Sequence, residues 1–152
     1  MPQGPPPDAF DAAVRLLAGR PHSAVELRQK LRRRGCPPEQ IEAALDRVRE
    51  LGYQSDTGFA ESLVRARAGS RGRVAVAADL AARGVDRNVA AAALAGITPE
   101  AELSTARWVA ARMPDVEPAR LGGRLQRRGF SPEAVRQVVR ERAASQGEEP
   151  LD

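Results

Sequence analysis

A chain of 152 residues with a net charge of +4 and 42% hydrophobic residues suits one compact domain or a short array of small ones. A single cysteine, Cys36, rules out an internal disulfide, and one histidine, His22, leaves no His/Cys set to hold a metal. Neither a GxxxxGK-type phosphate loop nor a nucleophile–base–acid set occurs, so the sequence points to binding rather than catalysis, with no cofactor.

Residues 1–7 are rich in proline and glycine, and we expect them to be disordered. They lack the basic-then-apolar pattern of a signal peptide, and no apolar run approaches the roughly 20 residues that span a membrane. The expectation is a cytoplasmic protein. From Asp8 the pattern Phe10, Ala13, Val14, Leu17 has helical period and stops at Gly19. Ser23 followed by Glu26 then reads as a capping box. Leu27 and Leu31 lie on one face, and Gly35 stands where a left-handed helix end favours a residue without Cβ. Pro38 restarts a helix whose apolar face is Ile41, Ala44, Leu45, Val48 and Leu51, closed by Gly52. The segment is a helical hairpin.

The same hairpin recurs twice. Gly84 lies 49 residues after Gly35, and Gly129 lies 45 after Gly84, spacings that signal stacked supersecondary units. Val76 and Leu80, then Leu121 and Leu125, take the places of Leu27 and Leu31. Cys36 aligns with Val85 and Phe130, which marks it as a small buried apolar residue. A helix bearing Phe59, Ala60, Leu63 and Val64 precedes the second hairpin. One carrying Leu103, Ala106, Trp108, Val109 and Ala110 precedes the third. The expected organisation is three three-helix repeats, at 8–53, 54–96 and 97–145, with an acidic disordered tail at 146–152. No strand signal occurs, and the class is all-α with about nine short helices.

Carboxylates are scattered along these helices, where solvation or i,i+4 pairing accounts for them. Basic residues cluster. Arg28, Lys30, Arg32 and Arg33 crowd the first hairpin; Arg65, Arg67, Arg71 and Arg73 surround a glycine-rich loop; Arg124, Arg127 and Arg128 repeat the first cluster in the third unit. With regular stacking these positions form a periodic basic strip, suited to a helical polyanion or an acidic helical filament. Solvated helix surface and arginine-rich genomic composition are the plain alternative. Helix-turn-helix modules are a rival, but the helices after each glycine begin PPEQIEAAL, DRNVAAAAL and SPEAVRQVV, acidic or alanine-rich and poor for base contacts.

The stretch HSAVELRQKLRRRGCPPEQIEAALDRVRELGYQSDTGFAESLVRARAGSRGR, continued by DLAARGVDRNVAAAAL and RLQRRGFSPEAVRQVV, resembles the RecX family over roughly residues 10–142. The resemblance implies tandem three-helix repeats in an elongated, curved array. It also implies binding of the RecA recombinase filament on single-stranded DNA, with inhibition of its ATPase, strand exchange and co-protease activity. The expected partners are RecA and, weakly or indirectly, single-stranded DNA; the expected state is a monomer with no membrane association. The chain departs from the family pattern where Gln54-Ser55-Asp56-Thr57-Gly58 follows the Gly-Tyr, with Asp56 kept. It departs again where Val74-Ala75-Val76-Ala77-Ala78 replaces further basic residues, and where Pro37 takes the place of a cap. A nonspecific DNA-binding protein and a helical scaffold with solvated arginines are the competing functions.

Overall fold

Asp8 starts the first helix: its carboxylate accepts from the amides of Phe10 and Asp11, satisfying donors that no preceding turn can reach. The computed structural model describes residues 7–147. It contains α1 (Ala9–Gly19), α2 (Ala24–Arg33), α3 (Pro38–Glu50), α4 (Asp56–Arg67), α5 (Arg73–Ala82), α6 (Arg87–Leu94), α7 (Pro99–Ala111), α8 (Pro118–Arg127) and α9 (Pro132–Gly147). No strand occurs among the described residues. The expected disorder of residues 1–6 and of the tail from 148 falls outside them; Gln146 and Gly147 close α9.

The chain divides into two compact units. One is the chain through Ser62 together with Leu80–Ala93; the other is Leu63–Asp79 together with the chain from Leu94 on. The boundaries cut α4, α5 and α6, so each of these helices supplies residues to both units.

In the first unit, α1, α2 and α3 enclose Ala13, Leu27, Leu31, Ile41, Leu45 and Val48, with Phe10, Val14, Leu16 and Leu17 packed against them. Leu27 and Leu31 are wholly buried, each worth about 1.5–3 kcal/mol of apolar transfer. Cys36 is buried in this core, as its alignment with Val85 and Phe130 predicts. In the second unit the core is Ala106, Val109, Ala110, Leu121, Leu125, Phe130 and Val138. The alanines let helices approach closely, which is how a chain with so few aromatic residues closes its interior.

The capping box at Ser23 forms by half. Ser23 Oγ accepts from the Glu26 amide at 3.1 Å, but the Glu26 carboxylate turns to Arg20 (2.9 Å) and Arg83 (3.5 Å). Trp108 departs from the apolar face assigned to it and is 53% exposed. The stripe that α7 buries runs through Ala106, Val109 and Ala110, which leaves position 108 on the outer side of the helix.

Candidate interaction surface

Two of the three hairpin turns, those at Gly84 and Gly129, do more than reverse the chain. In the second unit, Arg128 ends α8 and Gly129 follows at φ +81°. The Gly72 amide donates to the Arg128 carbonyl at 3.0 Å, and the Val74 amide donates to the Gly129 carbonyl at 3.0 Å. The carbonyl end of α8 therefore sits on the amide end of α5, where the two sets of orphan backbone groups satisfy one another. A Cβ on Gly72 would stand 2.2 Å from the Phe130 nitrogen, and one on Gly129 would stand 2.3 Å from the Ala75 Cβ. At Gly72 the close approach alone requires glycine, and at Gly129 it adds to the requirement of the left-handed backbone.

The first unit carries a related joint. Ser23 Oγ donates to the Arg83 carbonyl at 2.7 Å, and a Cβ on Gly84 would stand 2.4 Å from a methyl of Val25. Asp56 completes the cap by accepting from the Ala24 amide at 2.9 Å and from Gln54 Nε2 at 2.9 Å. Burial works to raise the Glu26 pKa, but the hydrogen bond from Arg20 and the charges of Arg20 and Arg83 outweigh it and hold the carboxyl below its ordinary range.

The basic residues singled out by sequence fall into two sets. Some are committed to partners. Arg28 grips Glu42 with both Nε (2.7 Å) and Nη2 (3.3 Å). The half-buried Lys30 lays Nζ 2.8 Å from His22 Nε2, with its pKa lowered first by desolvation and then by Arg20. Arg67 reaches Asp79 at 3.4 Å. Arg124 is exposed, with Nη1 3.7 Å from the Met113 sulfur. Arg32 and Arg33 in the first unit, and Arg65, Arg71, Arg73, Arg127 and Arg128 in the second, are exposed and make no ion pair among the described residues.

The joint brings part of this second set together. Arg71 and Arg73 flank Gly72 in the chain, and Arg127 and Arg128 precede Gly129, so the backbone bonds bring together two segments, distant in sequence, that carry four exposed arginines. Guanidinium groups so placed suit carboxylates or phosphates, which they grip two donors at a time. The Arg67 carbonyl accepts from the amides of both Ser70 and Arg71 at 3.0 Å, which fixes the loop carrying Arg71.

Three features lay outside the sequence reading. Trp108 is exposed with the Arg112 guanidinium 4.5 Å above its ring, and the burial stripe of α7 carries the signal for it. Arg142 is structural, donating to the carbonyls of Ala110 (2.9 Å), Met113 (3.0 Å) and Val116 (2.6 Å) at the end of α7. Glu102 is 5% exposed and its carboxylate accepts from the Ser131 amide ahead of α9, so it is neither solvated nor paired along its own helix. No group of three metal-ligating side chains occurs among the described residues, and no helix there is long and apolar enough to cross a membrane.

Comparison with known proteins accords with this architecture. The family model described as "RecX, first three-helix domain" matches residues 9–47, and "RecX, second three-helix domain" matches residues 55–94. The chain is 40% identical to "Regulatory protein RecX" of Thermobifida fusca over 146 residues, covering 90% of this chain and 79% of the relative. It is 34% identical to the protein of the same name from Streptomyces coelicolor, covering 97% and 84%. The crystal structure of RecX from Lactobacillus salivarius superposes with a TM-score of 0.78 at 21% identity, over 90% of this chain and 95% of that one, a likeness of fold.

Proposed function

The chain belongs to the RecX family, and from that premise we propose that it is a negative regulator of the RecA recombinase. It binds the filament that RecA forms on single-stranded DNA and lowers that filament's ATPase, strand exchange and co-protease activity. In the cytoplasm it thereby restrains recombination, DNA repair and the SOS response, as a binding protein rather than an enzyme. It contacts DNA weakly or through the recombinase.

The observation that carries this reading is the joint in the second unit. There Arg71, Arg73, Arg127 and Arg128 are exposed, lack acidic partners among the described residues, and stand on a backbone made rigid by two hydrogen bonds. Such a seat can bind acidic side chains of a recombinase protomer or DNA phosphates with its backbone already ordered, so that the entropy lost is that of the arginine side chains. Arg32 and Arg33 add a second contact from the first unit, Arg65 adds to the second, and Arg28, Lys30, Arg67 and Arg124 contribute once their present partners are exchanged. Bridging neighbouring protomers restrains the motions that accompany ATP turnover and filament growth.

A second reading, nonspecific binding to bare single-stranded DNA without recombinase contact, is favoured by the exposed Trp108 under Arg112, a pair on which a base can stack. Titration into a RecA ATPase assay on single-stranded DNA separates the two. Inhibition at few molecules per many RecA subunits supports filament contact. Inhibition only when the DNA is saturated, tracked by quenching of Trp108, supports the second reading.

A further inference from the structure

The interior of the second unit holds a charged group that its own chain only half uses. Glu102, on α7, is 5% exposed, and one carboxylate oxygen, Oε1, accepts from the Ser131 amide. The other oxygen, Oε2, has no hydrogen bond or ion pair among the described residues. No side-chain oxygen there is both sealed in and without a partner, so Oε2 has an opening. Glu102 lines a cavity of about 570 Å³ between α7 and α9, within the roughly 300–1,000 Å³ that binding sites occupy.

The lining pairs hydrocarbon with unequal charge. Ile97, Leu103 and Ala134 supply buried or half-buried apolar walls. Two of the lining arginines are engaged: Arg107 donates to both oxygens of Glu141 (2.7 and 3.1 Å), and Arg140 donates to Gln137 Oε1 at 2.7 Å. Arg73 is exposed and makes no ion pair among the described residues. Glu100 and Glu133, in the first turns of α7 and α9, line the cavity as exposed acids. The unused capacity at the buried position is therefore an anionic acceptor, and a desolvated carboxylate is stabilised most by a cation that donates to it.

We propose that this cavity takes a lysine or arginine side chain from a partner protein. The aliphatic stem lies against Ile97, Leu103 and Ala134, and the charged head donates to Glu102 Oε2, the division that long basic side chains make between apolar walls and a polar end. A free diamine has the same chemistry but fills little of 570 Å³, whereas a side chain brings the adjoining residues of its own segment with it. DNA has no cation to offer Glu102, so the cavity selects protein over nucleic acid. Arg73 borders both the cavity and the arginine joint, so the fitting partner sets a basic residue beside acidic ones. The inference does not depend on which protein the arginines engage, and its test needs no recombinase.

Short peptides with a central lysine, arginine or norleucine, titrated into isotopically labelled protein and followed by amide chemical shifts, test it. The lysine and arginine peptides should shift Ile97, Leu103, Ala134 and Gln137 with a Kd of about 1 mM, and the uncharged norleucine peptide should bind about fivefold more weakly or worse. Glu102→Gln keeps an acceptor for the Ser131 amide but turns a donor toward the cavity, so it should abolish the preference for the charged peptides. Arg73→Gln removes a repelling charge and should tighten them about two- to threefold, an opposite response that a merely structural Glu102 would not produce. The norleucine contrast and Arg73→Gln decide the matter even where Glu102→Gln folds poorly. Lysine and norleucine peptides that bind alike, or shifts that miss these residues, would overturn the proposal. Tighter binding of 1,4-diaminobutane than of either charged peptide would also overturn it, assigning the cavity to a free amine.

Discussion

The amide of Gly72 donates to the carbonyl of Arg128 over 3.0 Å, and nothing larger than a hydrogen fits on the Cα of Gly72. Its backbone does not have a positive φ, so conformational preference does not explain the residue. Gly72→Ala should therefore cost about 3 kcal/mol, because added volume meets backbone atoms and displaces two hydrogen bonds. Gly35→Ala, where the Cβ meets open space, should cost only the roughly 1–2 kcal/mol of a left-handed non-glycine residue. Urea denaturation midpoints at constant slope measure both. Equal costs would mean that the close approach at Gly72 contributes nothing.

Burial of a histidine against a lysine sets an acid limit on the first unit. Because an ammonium can only donate, His22 Nε2 accepts from Lys30 and its ring proton is on Nδ1, donated to the Arg20 carbonyl at 2.9 Å. Desolvation first, then the charges of Arg20 and Lys30, depress the His22 pKa below 6.5, while the hydrogen bond to Arg20 and the charge of Glu26 oppose the shift. The unfolded chain thus takes up the proton before the folded one does. This contribution to stability is complete above about pH 6.5 and is lost as the pH falls through that value toward the folded pKa. Melting temperatures between about pH 8 and 5 should fall on the acid side, and His22→Asn should lower stability throughout while flattening that slope. The depressed carboxyls of Glu26, Glu42 and Glu141 act below 4.5 and leave this window clear. An unchanged slope in His22→Asn would assign the acid loss to other groups.

The repeat was legible because it is written in three local signals: a cap, a leucine pair and a glycine at fixed spacing. The caps that Ser23 and Thr98 form and the turn at Gly35 involve neighbours a few residues away, which periodicity captures, whereas the bond from Ser23 to the Arg83 carbonyl does not. The second purpose of Gly84 and Gly129 was not legible, since the atoms that exclude a side chain come from Val25 and Ala75, far off in sequence. The same reason hides the roles of Asp56 and Arg142, whose partners lie 32 and 26 or more residues away. Trp108 is different: the 106–109–110 stripe already placed it outside, and its size alone argued for the core. Among the basic residues, type and cluster were visible, but which of them carry a partner depends on side chains such as Glu42 and His22 delivered by other elements.

Glu102 is buried, and its carboxylate accepts the Ser131 amide that α9 leaves unpaired. Glu102→Ala should strand that donor and lower stability by about 1–3 kcal/mol. Glu102→Gln retains an acceptor oxygen and should recover most of the loss. Thermal melting of the pair tests the assignment, and a glutamine variant as unstable as the alanine one would show that charge, not hydrogen bonding, is what the site needs.

The arginines of the second unit should separate by assay. Arg71→Glu and Arg128→Glu alter exposed side chains at the joint without removing its backbone bonds, so the fold should keep its melting temperature. Each should weaken inhibition of RecA roughly two- to fivefold, the measure of one exposed charge contact, and the double variant about tenfold. Arg142→Ala should behave in the opposite way. It removes donors from three carbonyls at the end of α7 and should cost about 2 kcal/mol of stability. At temperatures where it remains folded, its inhibition should be unchanged. Measuring the ATPase of RecA on single-stranded DNA beside the melting curves of all four variants decides the matter. Unimpaired inhibition by the Arg71/Arg128 double variant would remove the joint from the binding surface and leave Arg32 and Arg33 as the residues to reverse next.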